Sequence, residues 1–250
     1  MEKQEYQIMY ETENKHWWYL GIQNLIKNQI QKYFKYKTNL SILDAGCGTG
    51  GNLLLLSKYG KACGLDISPL AIKYCKQRGL INIKKGSILK LPYKKNRFDL
   101  IVCMSVLYHK KVISDKKALL EFKKVLKKKG FLFGLVPALN FLESDHDKRV
   151  HTARRYTKKE ITDLLESTGF KIKKNTYSHF FVLPLIILKR KIFKSISLYS
   201  DRSSDLFIPP KFLNNFLFFI LKIENIILEA FNLPIGNSIF FVAQNNETKT

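Results

Sequence analysis

Between Leu40 and Asn140, short apolar runs alternate with stretches in which apolar residues recur every three to four positions. The runs predict strands at Ser41–Ala45, Lys61–Asp66, Ile81–Lys85, Phe98–Met104 and Phe131–Pro137; the stretches between them predict helices at Gly51–Lys58, Pro69–Arg78 and Asp115–Lys128. Pro69 suits a first helical turn and Ser68 its cap, while Gly60, Gly79 and Gly130 stand where helices should stop. Strand alternating with helix is the pattern of βαβ units around a parallel sheet, so the chain reads as α/β.

Outside this region the periodicity changes. Met1–Tyr36 reads as helical, with "HWWYLGIQNLI" carrying both tryptophans of the chain. "TKKE" at Thr157 is a capping box for a helix reaching Thr168; strands follow at Phe170–Tyr177 and Ser238–Asn245. Between these two strands lies a long apolar stretch. Its first run, "FFVLPLIIL", is interrupted by Pro184 and too short to span a bilayer, which takes about 20 apolar residues. Its second, Phe212–Phe231, puts Leu213, Leu217, Ile220, Ile223, Ile227 and Phe231 on one helical stripe and Lys222, Asn225 and Glu229 on a narrow polar strip. The chain therefore divides into a helical segment at 1–39, a core at 40–178 and 237–246, a helical insertion at 179–236 and a tail at 247–250. The insertion is expected to cap the sheet edge and a substrate pocket. Lys189, Arg190, Lys191 and Lys194 beside its first run offer a second role, peripheral contact with an anionic membrane.

Charge widens the list of partners. Forty-three Lys and Arg against 20 Asp and Glu give a net charge of +23 over 250 residues, which favours nucleic acid, anionic lipid or an anionic substrate. The lysines are spread along the whole chain beside many Ile and Asn, a pattern that biased coding explains. Cys47, Cys63, Cys75 and Cys103 form no C-x-x-C pair, so reduced buried thiols are expected, with no metal site and no disulfide. The start "MEKQEYQIMYETENK" has no apolar run and does not read as a secretory signal, which points to a cytoplasmic protein.

The chemistry centres on "ILDAGCGTGGN". Gly46, Gly48 and Gly51 fit the dinucleotide spacing G-x-G-x-x-G, whereas Asp44, Gly46, Gly48 and Gly50 fit D-x-G-x-G-x-G. A glycine turn ahead of a helix presents amides to an anion, but Asp44 just before it would repel a pyrophosphate and favour an ammonium or sulfonium. S-adenosylmethionine offers both a carboxylate and a cation. Asp66 ends the second strand, where an acid accepts both ribose hydroxyls, as it would for NAD too.

The series "LDAGCGTG", "GLDIS", "GSILKLPY", "FDLIVCMSVLYH" and "LKKKGFLFGLVPA", from Ser41 to Ala138, resembles the class I S-adenosylmethionine-dependent methyltransferases. His16-Trp17-Trp18 and "RRYTKKEI" resemble a bacterial subgroup of that family. The resemblance implies a Rossmann-like seven-stranded sheet with helices on both faces and an N-terminal helical lid. It also implies that S-adenosylmethionine is held by Asp44, Gly46, Cys47, Gly48, Gly50, Asp66, Ile67, Ser87, Ile88 and Met104, with Trp17 of the lid over it. Two departures stand out: Ser87 replaces the acid that commonly contacts adenine, and Lys129-Gly130 replaces a proline-glycine turn.

Methyl transfer needs a positioned acceptor and, for a hydroxyl or ammonium, a base. His109, just past the fourth strand, is the candidate base, the alternative being a hydrogen bond at the cleft rim; Tyr108 is a candidate for positioning. After the fifth strand a polar cluster includes Asp145, Asp147 and His151, and His146, Arg154, Arg155 and Tyr156 are its candidate acceptor-binding residues, the arginines suited to phosphate or carboxylate. A solvated loop is the alternative. The expected acceptor is a small or amphiphilic molecule or a cell-envelope glycan or lipid, and the expected location is the cytoplasm or the inner face of the membrane. Nucleic-acid methylation is disfavoured because "CMSVLYH" lacks the Asn/Asp-Pro-Pro-aromatic turn. A non-catalytic cofactor-binding scaffold is the remaining alternative.

Overall fold

The apolar runs form seven strands: β1 (Leu40–Ala45), β2 (Gly60–Asp66), β3 (Ile83–Lys85), β4 (Phe98–Met104), β5 (Leu126–Pro137), β6 (Phe170–Ser178) and β7 (Ser238–Asn245). They make one sheet of order β3-β2-β1-β4-β5-β7-β6 in a computed structural model that describes residues 1–35, 37–188 and 207–246. The strands from β3 across to β5 pair in parallel, and β7 enters antiparallel between β5 and β6. Parallel neighbours need long crossovers, which α3 (Gly51–Leu56), α4 (Pro69–Gln77) and α5 (Asp115–Val125) supply.

Both faces of the sheet are covered, which is why its central strands read as continuous apolar runs. Along β4, Leu100 and Val102 face a core shared with Phe133 and with Ile22, Leu25 and Ile26 of α2 (Trp17–Tyr33). Ile101 and Cys103 face the opposite core, with Leu119 and Phe122 of α5 and Leu165 of α7 (Lys158–Ser167). This two-residue alternation places each side chain in one layer or the other, and each large one fully buried contributes about 1.5–3 kcal/mol. The remaining helices are α1 (Lys3–Thr12), α6 (Asp145–Arg149), α8 (183–188) and α9 (Lys211–Ala230).

β4 and β7 keep their expected bounds, and the Thr157 capping box forms. Three expectations need correction. The helix expected to reach Lys128 stops at Val125, because Leu126 already pairs with Phe98; the next pair is Phe131 with Leu100, and the extra residues bulge out. Lys127 in that bulge reaches Asp99 at 3.0 Å, and Gly130 lies inside β5 rather than ending a helix. The N-terminal helix breaks at residues 13–16, where the His16 ring accepts the Trp18 N–H and restarts the chain as α2.

The third correction concerns α9, which packs along α2 with a different face inward. Asn214, Leu217, Leu221, Glu224, Asn225 and Leu228 are buried, while Ile223 of the expected stripe is exposed. The polar residues turn inward because main-chain groups await them. Asn214 accepts the Trp17 N–H and Asn225 donates to Gly21 O, each at 2.9 Å; Glu224 accepts the N–H groups of His179 and Phe181. Lys189, Arg190, Lys191, Lys194 and the tail 247–250 lie outside the described residues.

Candidate active site

The strand ends that follow Asp44, Asp66 and Met104 meet around the glycine turn. The N–H groups of Gly46 and Cys47 both donate to Leu65 O, at 2.7 and 3.0 Å, which fastens the turn to β2. Gly46 (φ +86°) and Gly48 (φ +54°) take a conformation that side chains disfavour, and a Cβ at either would collide with Val106 or Met9. The carboxylate of Asp66 accepts the Gly48 N–H (3.0 Å) and the Ser68 N–H (2.8 Å). Its carbonyl accepts the Gly86 N–H (2.9 Å), which brings Ser87 and the buried Ile88 beside it. Cys47, Gly50, Ile67 and Met104 complete this ring, Met104 and Cys47 buried and Ile67 exposed.

Asp44 is the unusual member. It is 1% exposed, and its Oδ2 finds no hydrogen-bond partner among the described residues. Burial, then the charges of Glu13 and Asp66, push its carboxyl up to about 8. Glu13, just past α1, is itself buried; it accepts the Thr49 hydroxyl and the Arg78 guanidinium (2.8 Å), while Arg78 also donates to Thr49 O and Tyr10 O. This network bolts α1 onto the turn. Asp44, Asp66 and Glu13 make this pocket acidic, and the Gly46, Cys47 and Gly48 N–H groups are already engaged by Leu65 O and Asp66, so the arrangement disfavours a pyrophosphate and suits a ligand that brings a cation to Asp44. The amino-acid end of S-adenosylmethionine fits that description.

Among the N-terminal helices, contacts with the glycine turn and α4 come from α1, and Trp17 packs elsewhere. Met9 lies against Gly48, and Tyr10 stacks on Tyr74 at 4.8 Å. Trp17 packs with Val182, Leu217 and Leu221, under α8 and α9. Trp18 stacks on His179 at 3.9 Å.

Past the end of β4, Tyr108 is held in its phenol form by burial and by Asp147. His109 has both ring nitrogens engaged within the protein: its Nδ1 accepts the Lys111 N–H at 3.0 Å, and its Nε2 lies 3.3 Å from the Met1 ammonium. Burial first, then neighbouring positive charges including His151, lower His109 to about 4. The arginines need a second correction. Arg155 binds both oxygens of Asp147 at 2.7 Å and donates to Ala138 O; Arg154 binds Asp115 (3.2 Å) and Val112 O. The Tyr156 hydroxyl serves Asp115 and Leu107 O. These groups brace the loop after β5, since both terminal nitrogens of Arg155, Arg154 and the Tyr156 hydroxyl have partners within the protein and the Arg155 Nε is left without one among the described residues. His146 sits half-buried on α6 beside them.

Sequence reasoning missed two residues. Glu13 is one of four glutamates in the first fifteen residues, with no motif to mark it. Tyr19 follows the tryptophan pair and is half-buried; burial, then the nearby Glu13, Tyr108 and Glu5, push its hydroxyl up.

Residues 43–134 match the family described as Methyltransferase domain. An uncharacterized protein of Methanocaldococcus jannaschii is 30% identical over 192 residues, 72% of this chain and 73% of that protein. A demethylmenaquinone methyltransferase of Lactiplantibacillus plantarum is 29% identical over 120 residues, 43% of this chain and 49% of that enzyme. The chain spans about half the length of several curated relatives it matches, 45% and 49% in two of them. Among solved structures, a proposed sarcosine dimethylglycine methyltransferase of Galdieria sulphuraria superposes with a TM-score of 0.60 at 18% identity, covering 91% of this chain and 86% of that one. At that identity the likeness speaks for the fold.

Proposed function

The chain belongs to the class I S-adenosylmethionine-dependent methyltransferases, and from that premise we propose that it methylates a small-molecule or cell-envelope glycan or lipid-type acceptor. The observation that carries this reading is the unpartnered, buried Oδ2 of Asp44 beside the glycine turn. Bound there, S-adenosylmethionine supplies a methyl group on a positively charged sulfur. Asp44 would hold its ammonium, and the spare lone pairs of Asp66 its ribose hydroxyls. Ser87 and Ile88 adjoin Asp66 and would flank the adenine.

The acceptor would lie among Tyr19, Tyr108 and His109. His109, held through Nδ1 by the Lys111 N–H and through Nε2 by Met1, would border the acceptor at the cleft rim rather than take a proton from it. Similarity to a demethylmenaquinone methyltransferase supports a small acceptor. The experiment offers methyl-labelled cofactor to the protein with small-molecule, lipid, glycan and nucleic-acid fractions. Label in one of the first three supports the proposal. Label in nucleic acid alone, or cofactor binding with no transfer to any fraction, contradicts it.

A further inference from the structure

Helix α9 carries two apolar stripes. One meets α2; the other, Phe212, Phe216, Phe219, Ile223 and Ile226, recurs every three to four residues and is 41–85% exposed. Beside it, Phe181, Leu185 and Leu188 at α8 are also exposed and border an apolar groove of about 580 Å³ lined by Phe180, Leu183, Pro184, Ile187 and Ile235 among others. Contiguous apolar surface on this scale marks an interaction face.

We propose that this face of α9 and α8 seats the protein on an anionic membrane surface. The charges around it favour that occupant over a second copy of the chain. Lys211 and Lys222 on α9 and Lys15, whose carbonyl accepts from Asn214, are exposed at its margin, while Glu229 is the one exposed acid on the helix. Two copies, each with a net charge of +23, would set like charges together across such a face, whereas anionic headgroups complement them. Phenylalanines embed in the acyl boundary while the lysines reach the headgroups. The helix lies on the surface and does not cross it, since no helix among the described residues is long and apolar enough to span. Because α9 begins beside Trp17, at the end of the sheet where the strand ends converge, an amphiphilic acceptor would be collected close to the cleft.

The test is flotation of the full-length protein with phosphatidylcholine vesicles, with and without phosphatidylglycerol; it requires no methylation, so its outcome is separate from that of the methyltransferase assay. Expected are binding to the anionic vesicles only and weakening as salt rises toward about 0.5 M. Lys211→Glu with Lys222→Glu should weaken binding roughly thirtyfold. Phe216→Ser with Phe219→Ser should weaken it at least about tenfold, with the thermal midpoint and cofactor affinity kept. If the phenylalanine variant misfolds, the lysine variant decides alone. Absence of wild-type flotation overturns the proposal, whether the face is covered by residues 189–206 or by nothing. So does flotation unchanged in a folded variant, or a concentration-dependent dimer lost in the phenylalanine variant.

Discussion

Two polar regions lie at the same end of the sheet and differ in what they leave unpaired. Around the glycine turn, Asp44 keeps a buried carboxyl oxygen without a partner and carries a carboxyl pushed up to about 8. In the loop after β5, Arg154, Arg155 and Tyr156 are engaged by Asp115, Asp147 and main-chain carbonyls, with the Arg155 Nε left unpartnered among the described residues. By residue type the loop is the better anion receptor; by pairing of its charges it is a brace. A buried carboxyl with no opposite charge beside it is costly to keep and points to a ligand, whereas charges that pair with one another point to stability.

The largest effect should come from breaking the brace. Arg155→Ala leaves Asp147 buried and uncompensated and should cost about 3–5 kcal/mol in urea unfolding, with cofactor affinity in the folded protein near the wild-type value. Cofactor affinity falling while stability holds would make Arg155 a ligand residue instead.

Asp44→Asn should do the opposite, stabilising the free protein and weakening cofactor binding roughly tenfold to a hundredfold. The sign follows from proton counts. The folded carboxyl keeps its proton to about 8 while the unfolded one loses it near 3.8, so the folded state binds more protons in between and stability falls as pH rises through that window. Thermal midpoints measured between about pH 5 and 9 should fall in the wild type and stay flatter in the variant.

Which parts of this contrast the sequence could reveal depended on how local the cause was. The turn from Asp44 to Gly50 and the strand ends at Asp66 and Met104 were legible because spacing along one chain segment sets them. Glu13 was not, since its partners Thr49 and Arg78 lie far along the chain. The face of α9 was misread for the same reason: Asn225 falls on the solvent side of a helical projection, and only α2 supplies the Gly21 carbonyl that draws it inward. The pairing of Arg155 with Asp147 was likewise invisible, because charge in a loop reads alike whether it faces a ligand or another residue.

A smaller effect is expected at His109. His109→Ala should lower turnover by roughly three- to tenfold through loss of its hydrogen bonds with Met1 and Lys111 at the cleft rim, with cofactor affinity unchanged. A ring lowered to about 4 stays neutral, so turnover should show no inflection from His109 between about pH 5 and 8. A loss of roughly 10²- to 10⁴-fold, or an inflection near neutrality that the variant lacks, would restore the base.

The most direct measurement is calorimetry of S-adenosylmethionine binding in buffers of different ionisation enthalpy, with NAD as the comparison. A cation placed against Asp44 should ionise it, so binding near pH 7 should release close to one proton (order-of-magnitude, from a carboxyl at about 8), and the release should fade well above pH 8 and in Asp44→Asn. NAD should not bind. Tight NAD binding, or cofactor binding with no proton released at neutral pH, would contradict the assignment of Asp44 as the cation's partner.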